Sequence, residues 1–388
     1  MPRSPLAGRR IHIAGSINVD PQVATSTEVD SARDFVTAFV RELVRRGAGF
    51  VVAVDAEKRR EIDGKPICFD WLVWECLKNG LPLRPAGASV PLAVAVQHHK
   101  SEAQVPLEMQ DLWDDLRGSD LVTIENAAQW NMNSKRLEVA ASFGDVLVTL
   151  GGDEGVLFLA NLYHVCGKPV VPLNFRLCPD GKGSLRLFEH GMTRAYSGRF
   201  FSLREQPEAH AWMNRINQGP RATVDDRVNA VISLLEALER PRAFAVRLLN
   251  PKHVDFAAVD NFFSSVVQPV AEETFGYKLT AVDGRQPYET PRVDQEIFSK
   301  LHRSGIVVAD FTGLRPNCFV ELGYALGRGH PTLLTAREGT ENPFDTQTLP
   351  AHFWVESGTA ADRRHRFVEY WQASAGRPPL VPSDPLIP

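Results

Sequence analysis

GDVLVTLGGDEGVLFLANLYHVCGKPVVPLNF, residues 144–175, is the stretch that decides the fold. An apolar run is followed by a glycine-rich turn, then by the helical segment VLFLANLYHV, and then by a second apolar run at 168–173. This order predicts a buried strand, a turn, a helix and a second strand. Strands that alternate with helices form parallel sheets with right-handed crossovers, so the stretch predicts an open α/β domain.

The beginning of the chain has the same order of elements. RRIHIAGS, residues 9–16, is typical of a strand that runs into a turn of small residues. Phe35, Phe39 and Leu43 then recur at helical spacing, and Gly47 is a stop signal ahead of another apolar run. These elements extend the first α/β domain to the start of the chain.

A second α/β domain is predicted further along the chain. RAFAVRLLNP is typical of a strand that ends at Asn250. Residues 262–282 are typical of a helix followed by a strand, and residues 306–309 are typical of a strand between two helices. Residues 179–240 are rich in turn residues, and only VDDRVNAVISLLEALERP is clearly helical there. The predicted fold is therefore α/β, with two Rossmann-like or flavodoxin-like parallel-sheet domains joined by a helical linker. The predicted ranges are 1–178 and 241–375 for the two domains, 179–240 for the linker and 376–388 for a Pro-rich tail.

Composition excludes several classes of function. The 388 residues carry a net charge of -4, without the basic surplus that is expected of a duplex binder. Five cysteines form no Cys-x-x-Cys pair, so neither a zinc site nor a complete disulfide framework is indicated. The chain begins without the apolar run of a signal peptide, and no apolar stretch approaches the length of a membrane span. We expect a cytoplasmic protein with no metal, no cofactor, no nucleic-acid partner and no membrane partner.

A carboxylate near the end of the second domain is the main candidate for catalysis. Polar residues follow the strand at 306–309: Asp310, Thr312 and Asn317, with Glu321 about one turn further along. Ligands bind at the carboxyl ends of strands in an open parallel sheet. There a carboxylate can attack the anomeric carbon of a sugar, or stabilise the positive charge that builds up on it. An interaction with the helix macrodipole, worth about 0.3–1 kcal/mol, would also explain Glu321 and is favoured by local features alone, because acids are common in first helical turns.

ADFTGLRPNCFVELGYALGRGHPTLLT, residues 309–335, resembles the signature of nucleoside 2-deoxyribosyltransferase-like proteins and the related TIR-like nucleotide glycosidases. The resemblance covers residues 243–356. It implies that Glu321, in the Glu-Leu-Gly motif, is the nucleophile on the anomeric carbon. It also implies that Asp310 and Asn317 shape the sugar pocket, where we expect Thr312 and Asn250 to bind substrate as well.

One residue of this domain departs from the family pattern, and one matches it at a different spacing. Where the deoxyribosyltransferases place an acid near the 5′-hydroxyl, this loop has Arg315, whose planar fork suits a phosphate. The substrate is therefore expected to be a nucleotide or dinucleotide, although a solvated loop arginine is the alternative. Asp294 lies on the preceding helix, where family members carry an acid, and is the candidate proton donor to the leaving base. Its spacing to the next strand is longer than in the transferases, and a cationic base such as nicotinamide needs no strong acid.

The first domain resembles the SLOG superfamily, which includes the Lonely Guy enzymes and sensor domains of bacterial conflict systems, over residues 9–175. Leu150 and Val156 replace the Pro and Thr of the enzymes' glycine turn, and the following helix has no acid, which favours binding over catalysis. A plain tight turn remains the alternative. The positions expected around a messenger's phosphate or ribose are Gly15, Ser16, Gly151, Gly152, Asp153, Glu154 and Gly155.

Together the two resemblances imply the architecture of bacterial antiphage effectors. The leading hypothesis is an enzyme whose second domain cleaves the N-glycosidic bond of NAD or another nucleotide. A cyclic-nucleotide or ADP-ribose-type messenger on the first domain, together with homo-oligomer formation, would activate it. One alternative is a housekeeping deoxyribosyltransferase or nucleotide N-glycosidase of salvage metabolism. The other is a non-catalytic nucleotide-binding signalling module.

Overall fold

The computed structural model describes residues 4–56, 58–86, 91–97, 105–126, 133–204, 208–219, 221–282, 292–341 and 348–375. The chain divides into two compact units: a first unit up to Glu239 and a second unit from Arg240 onward. Each unit contains one parallel sheet with helices beside it, so the predicted α/β class with two parallel sheets is confirmed. The Pro-rich tail predicted at 376–388 lies outside the described residues.

The first unit has a six-stranded sheet in the order β4-β3-β2-β1-β5-β6, and its recorded pairings are parallel. Its strands are β1 Arg10–Ser16, β2 Gly49–Val54, β3 Ala93–Gln97, β4 Val122–Asn126, β5 Val146–Gly151 and β6 Val170–Pro172. Every residue of β5 is buried. This explains its continuous apolar sequence, because a parallel sheet is covered by helices on both faces.

Nine α-helices are described in the first unit, besides two short 3₁₀-helices, Leu81–Leu83 and Leu107–Met109. The α-helices are α1 Ser26–Arg45, α2 Asp70–Gly80, α3 Gln110–Arg117, α4 Asn133–Phe143, α5 Glu154–Val165, α6 Gly183–Gly191, α7 Arg194–Ser197, α8 Ala209–Ile216 and α9 Val224–Ala237. The apolar residues spaced three and four apart in α1 are buried, as the helical period requires. Helix α9 begins with a capping box in which Thr223 and Asp226 exchange hydrogen bonds between side chain and backbone.

Residues 179–240 contribute α6 to α9, and their apolar side chains belong to the same buried cluster as β1 and β5. Met213, Leu234 and Leu235 are fully buried in that cluster. In the structure, this segment is therefore packed into the core of the first unit.

The second unit has a five-stranded sheet in the order β11-β10-β9-β7-β8. Its strands are β7 Arg242–Val246, β8 Lys278–Thr280, β9 Ile306–Asp310, β10 Thr332–Arg337 and β11 Ala351–Trp354. Read from β8, the chain order of the strands is 2-1-3-4-5, which is the flavodoxin-like arrangement. The described helices are α10 Phe256–Phe262, α11 Val293–His302, α12 Pro316–Gly327 and α13 Ala360–Ser374.

Helix α10 continues to Thr274 through two stretches of π-helix, Phe263–Val267 and Val270–Thr274. Pro269 precedes the second stretch and has no N–H for the helical ladder, which accounts for the irregular hydrogen bonding at this point. The predicted helix is present, with a wider turn than an α-helix.

Each sheet has one position where the chain order of neighbouring strands reverses. It lies between β1 and β5 in the first unit and between β7 and β9 in the second. In open α/β sheets, the crevice outside the carboxyl ends of the strands at such a switch point is the usual ligand site. Both sets of predicted site residues lie next to these two positions.

Candidate functional site

A cavity of about 230 Å³ opens at the switch point of the second unit, beyond the carboxyl ends of β7 and β9. Its lining comes from β7 and the residues after it, from the loop after β9, from α12, and from Val282 and Ile297. The described lining residues are Phe244, Ala245, Arg247, Leu248, Leu249, Asn250, Val282, Ile297, Arg315, Asn317, Cys318 and Glu321. The cavity brings together four predicted residues: Glu321, Arg315, Asn317 and Asn250.

Glu321 reaches this cavity from the second turn of α12. The helix begins at Pro316, which needs no N–H partner at the first helical position, so Glu321 is the sixth helical residue. Asn317 and Cys318 precede Glu321 by four and three residues and therefore share its face of the helix. The macrodipole effect fades within the first turn, so it does not account for a carboxylate at this position.

The environment of Glu321 is apolar enough to perturb its ionisation. Burial raises the pKa of the Glu321 carboxyl from 4.5 to about 7. Within the part of the chain that the structure describes, no hydrogen bond or ion pair to this carboxylate is recorded, whereas many surface acids are paired with Arg or Lys. A half-buried carboxyl without a protein partner, facing a cavity, is typical of a catalytic acid, base or nucleophile.

The loop before α12 is held in an unusual conformation. Leu314 has a φ of 47°, a left-handed value that costs about 1–2 kcal/mol for a residue with a side chain. Its N–H bonds to the Phe311 carbonyl at 3.0 Å, and Leu314 remains exposed. This strained turn leads directly into Arg315, which lines the cavity as the N-cap of α12. Strain of this kind is often retained where a loop must present functional groups.

Arg315 and the two asparagines differ in how much of their bonding capacity is occupied. The Asn250 side-chain oxygen accepts a hydrogen bond from the Lys252 N–H at 3.1 Å, which tightens the loop after β7. For the Arg315 guanidinium, no hydrogen bond or ion pair to any described residue is recorded, and Asn317 is exposed at the second helical position. Arg315 and Asn317 thus have polar groups free for a ligand, at least with respect to the described chain.

Asp310 and Thr312 do not reach the described wall of the cavity. Asp310 is 1% exposed, and its carboxylate accepts hydrogen bonds from the Thr312 N–H at 3.0 Å, the Thr335 hydroxyl at 2.8 Å and the Trp354 indole N–H at 2.8 Å. The Thr312 hydroxyl oxygen accepts from the Arg337 N–H at 2.8 Å. The structure therefore assigns both side chains to fixing the ends of β9, β10 and β11. It gives no support to direct sugar contact.

Asp294 lies away from the cavity lining as well. It is exposed at the start of α11, where it forms an ion pair with Arg292. The hydrogen bond from Arg292 lowers the pKa of the Asp294 carboxyl, opposite to the shift that suits a general acid near neutral pH. Glu296, on the same helix, is fully buried and paired with Lys300 at 2.7 Å. The role of Asp294 as proton donor stays a prediction without geometric support.

Two further residues that line the cavity were not predicted as site residues from the sequence. Arg247 follows the last residue of β7 and lines the cavity, although the sequence pattern had continued the strand to Asn250. Cys318 lines it from α12, and burial raises the pKa of its thiol to about 12, so the thiol is neutral. If the predicted strand had ended at the first charged residue after the apolar run 243–246, Arg247 would have been placed at the carboxyl edge of the sheet.

The predicted messenger residues of the first unit lie together at its own switch point. Ser16 pairs with Gly151 across β1 and β5, and the Gly152 N–H bonds to the Ser16 carbonyl at 2.8 Å. A Cβ on Gly15 would lie 1.7 Å from the Leu150 carbonyl oxygen. A Cβ on Gly151, which has a φ of 60°, would lie 2.3 Å from the Ser16 carbonyl oxygen. Contact between neighbouring stretches of backbone is therefore sufficient to explain these glycines.

The remaining three predicted messenger residues are accessible. Asp153, Glu154 and Gly155 are exposed at the start of α5, and the Asp153 carboxylate lies 3.4 Å from the Lys182 ammonium. A helix start attracts anions, but the two carboxylates here repel a phosphate. Carboxylates accept hydrogen bonds from ribose hydroxyls, so ribose contact fits these side chains better than phosphate contact.

A metal site and a membrane-spanning helix are both absent from the described residues. No group of three or more His, Cys, Asp or Glu side chains in the described segments is placed to hold a metal ion. No helix of the described chain is long and apolar enough to cross a membrane.

Comparison with known proteins gives one family match. Residues 6–235 match the model of a family described as "ATP nucleosidase Cap17-like, N-terminal". Among curated proteins, none matches the chain.

Two solved structures show limited similarity to the chain. The X-ray structure of TM1055, a structural genomics target, is 17% identical, with 47% of this chain and 81% of that chain covered at a TM-score of 0.28. Spinosyn forosaminyltransferase SpnP is 9% identical, with 73% and 84% covered at a TM-score of 0.23. Both TM-scores are too low for either structure to inform the fold or the activity of this chain.

Proposed function

The chain belongs to the family of Cap17-like ATP nucleosidases by its N-terminal 6–235, and on this premise we propose that it hydrolyses the N-glycosidic bond of a nucleotide. ATP is the first candidate substrate because of the family description, and NAD is the second because its cationic base leaves easily. The family match lies within the first unit, and it is the geometry around Glu321 that leads us to place the reaction in the second unit. The observation that carries the proposal is Glu321, a half-buried carboxyl without a recorded partner in the described chain, beside a cavity at the switch point.

The reaction requires one protein carboxylate next to C1′ of the ribose and one water molecule. As the C1′–N bond breaks, its electron pair leaves with the base, and positive charge builds up on C1′ and the ring oxygen. Ionised Glu321 stabilises that charge or bonds to C1′. Water then adds to C1′, the carboxylate is released, and the water proton is taken up by solvent or by the departed base. The apolar surroundings strengthen the attraction between the carboxylate and the cationic sugar.

Substitution of Glu321 tests this proposal most directly. The purified full-length chain is incubated with ATP, AMP, adenosine and NAD, and released adenine or nicotinamide is measured by chromatography. We expect Glu321→Gln to lower kcat by about 10³-fold or more, as is usual for loss of a nucleophile. Exposed Glu273 offers a matched control, and Glu273→Gln should retain full activity. Unchanged base release by the Glu321 variant would refute the assignment.

The pH dependence of the reaction gives a second test. Only ionised Glu321 can stabilise the cationic sugar, and its pKa is raised to about 7. The value of kcat/KM should therefore rise with pH and level off above about 7, falling about tenfold per unit on the acid side. A profile that is flat between pH 5 and 8 would show that the ionisation of Glu321 does not control the reaction.

We keep regulation by a messenger as a further part of the proposal, for a role in bacterial defence. It is supported by the position of Asp153 and Glu154 at the switch point of the first unit and by their exposure. A messenger shifts activity only if it binds the active state more tightly. Base release is compared with and without cyclic nucleotides and ADP-ribose, and oligomeric state is followed by light scattering. Steady turnover that no messenger changes would instead favour a salvage enzyme.

A further inference from the structure

The cavity beside Glu321 carries a second positive charge that sequence motifs do not assign. Among the described residues that line it, the charged ones are Arg247, Arg315 and Glu321. Arg247 comes from the end of β7, and Arg315 comes from the loop after β9. The two guanidinium groups therefore approach the switch point from the two strands that flank it.

Arg247 is held in place by its neighbours on α10 and the π-helical stretch. Its Nη1 donates a hydrogen bond to the Asp260 carboxylate at 2.8 Å, and its guanidinium lies 5.2 Å from the centre of the Phe263 ring. The Arg247 side chain is 16% exposed, whereas that of Asp260 is 49% exposed. Because the Asp260 carboxylate is half exposed, water screens part of its charge, so Asp260 orients Arg247 and offsets the positive charge in the cavity only in part.

The bonding capacity of Arg247 exceeds what its neighbours use. A guanidinium has five N–H donors, and the described chain accounts for one hydrogen bond from the Arg247 side chain, the one to Asp260. Planar guanidinium groups match the oxygen spacing of a phosphate and bind it with paired hydrogen bonds. A pre-oriented arginine with free donors, beside a second arginine with no recorded partner in the described chain, suits an anion with several oxygens.

We propose that Arg247 is a specificity-determining residue that, together with Arg315, binds the phosphate attached to C5′ of the substrate ribose. The site would then take nucleoside 5′-phosphates and discriminate against free nucleosides. This inference rests on the proposed function for the placement of C1′ at Glu321. It concerns the phosphate end of the same ligand.

Binding measurements on a variant that does not turn over separate this role from catalysis. Glu321→Gln serves as the background, and its affinities for AMP, ATP, NAD and adenosine are measured by titration calorimetry on the full chain. Adding Arg247→Ala should weaken binding of the three phosphorylated ligands by about 10- to 100-fold, the usual value of a hydrogen bond to a charged group. Adenosine affinity should change by less than about threefold. The arms with AMP, ATP and NAD distinguish a monophosphate, a triphosphate and a pyrophosphate as the preferred group.

Two further variants control for structural damage. Arg247→Lys keeps the charge and the apolar stem but loses the planar fork, so we expect an intermediate loss for AMP. Arg328 is exposed at the other end of α12, and Arg328→Ala removes one positive charge without affecting affinity for any of the ligands. Thermal melting of each variant verifies that it is folded.

The outcomes distinguish this inference from the proposed function. The role of Arg247 is overturned if Arg247→Ala weakens the binding of AMP and adenosine equally, or weakens the binding of neither. It is also overturned if the folded Glu321→Gln protein does not bind AMP. Wild-type protein that binds AMP through Arg247 but releases no base from any substrate would refute the proposed function and leave the phosphate site standing. If wild-type and Arg247→Ala proteins both release base with the same ratio of kcat/KM for ATP over adenosine, the role of Arg247 is refuted and the proposed function stands.

Discussion

The two switch points of this chain have the same topology, but closely packed backbone occupies the first and a cavity lies at the second. In the first unit, the ends of β1 and β5 approach so closely that Gly15 and Gly151 leave no room for a side chain. In the second unit, a cavity of about 230 Å³ lined by Glu321 and two arginines lies beyond the paired ends of β7 and β9. The comparison teaches that strand order predicts where a crevice can form, whereas side-chain size and packing decide whether it stays open.

The largest effect is expected where the first switch point is most closed. Gly15→Ala would place a methyl group 1.7 Å from the Leu150 carbonyl oxygen, and we expect a loss of at least about 3 kcal/mol in the free energy of unfolding. Denaturant unfolding followed by circular dichroism measures it. Gly155 has no atom within 4 Å of its Cβ position, so Gly155→Ala should change stability by less than about 1 kcal/mol. A stable Gly15→Ala protein that fails to bind a messenger would instead assign the glycine to a ligand.

The next effect tests how the open switch point is supported. The carboxylate of Asp310 accepts from the Thr312 N–H at Oδ1 and from both the Thr335 hydroxyl and the Trp354 indole N–H at Oδ2. In Asp310→Asn, the amide N–H₂ would replace one of these two acceptor oxygens and would face the donors bound there. Because a buried donor would lose its acceptor, we expect a loss of about 1–3 kcal/mol in the free energy of unfolding. Asp294 is an exposed aspartate of the same unit, and Asp294→Asn should cost less than about 0.5 kcal/mol. If Asp310→Asn loses substrate affinity while its stability is unchanged, Asp310 contacts the sugar as the sequence predicted.

The smallest expected effect is the loss of folding stability that the buried, ionised side chain of Glu321 causes. The pKa of Glu321 is about 7 in the folded chain and 4.5 as the reference value, so the folded state binds more protons and its stability falls as pH rises between these values. Glu321→Gln should therefore raise the free energy of unfolding at pH 8 by about 1–2 kcal/mol, less than the full shift implies because the group is partly exposed. The gain should vanish near pH 4, where both states of the wild type are protonated. Equal stability of the two proteins at pH 8 would contradict the burial of Glu321.

The sequence predicted the second site better than the first. The Glu-Leu-Gly helix and the loop before it placed Glu321, Arg315 and Asn317 at one crevice, and the structure brings all three to the cavity. Arg247 was missed because the apolar Leu248 and Leu249 extended the strand pattern past its end at Val246. A buried loop and a buried strand have the same short apolar run, so periodicity does not separate them.

The sequence by itself determined the α/β class, the two parallel sheets and the helix that carries Glu321, because these depend on local periodicity, glycine turns and helix signals. Tertiary structure alone decided that Asp310 is enclosed by Thr335 and Trp354, that Asp294 stays in solvent, and that Gly15 packs against Leu150. The physical reason is that burial and hydrogen-bond partners are set by strands far apart in the chain. A residue type specifies which bonds a side chain can form, and packing specifies which neighbour is there to form them.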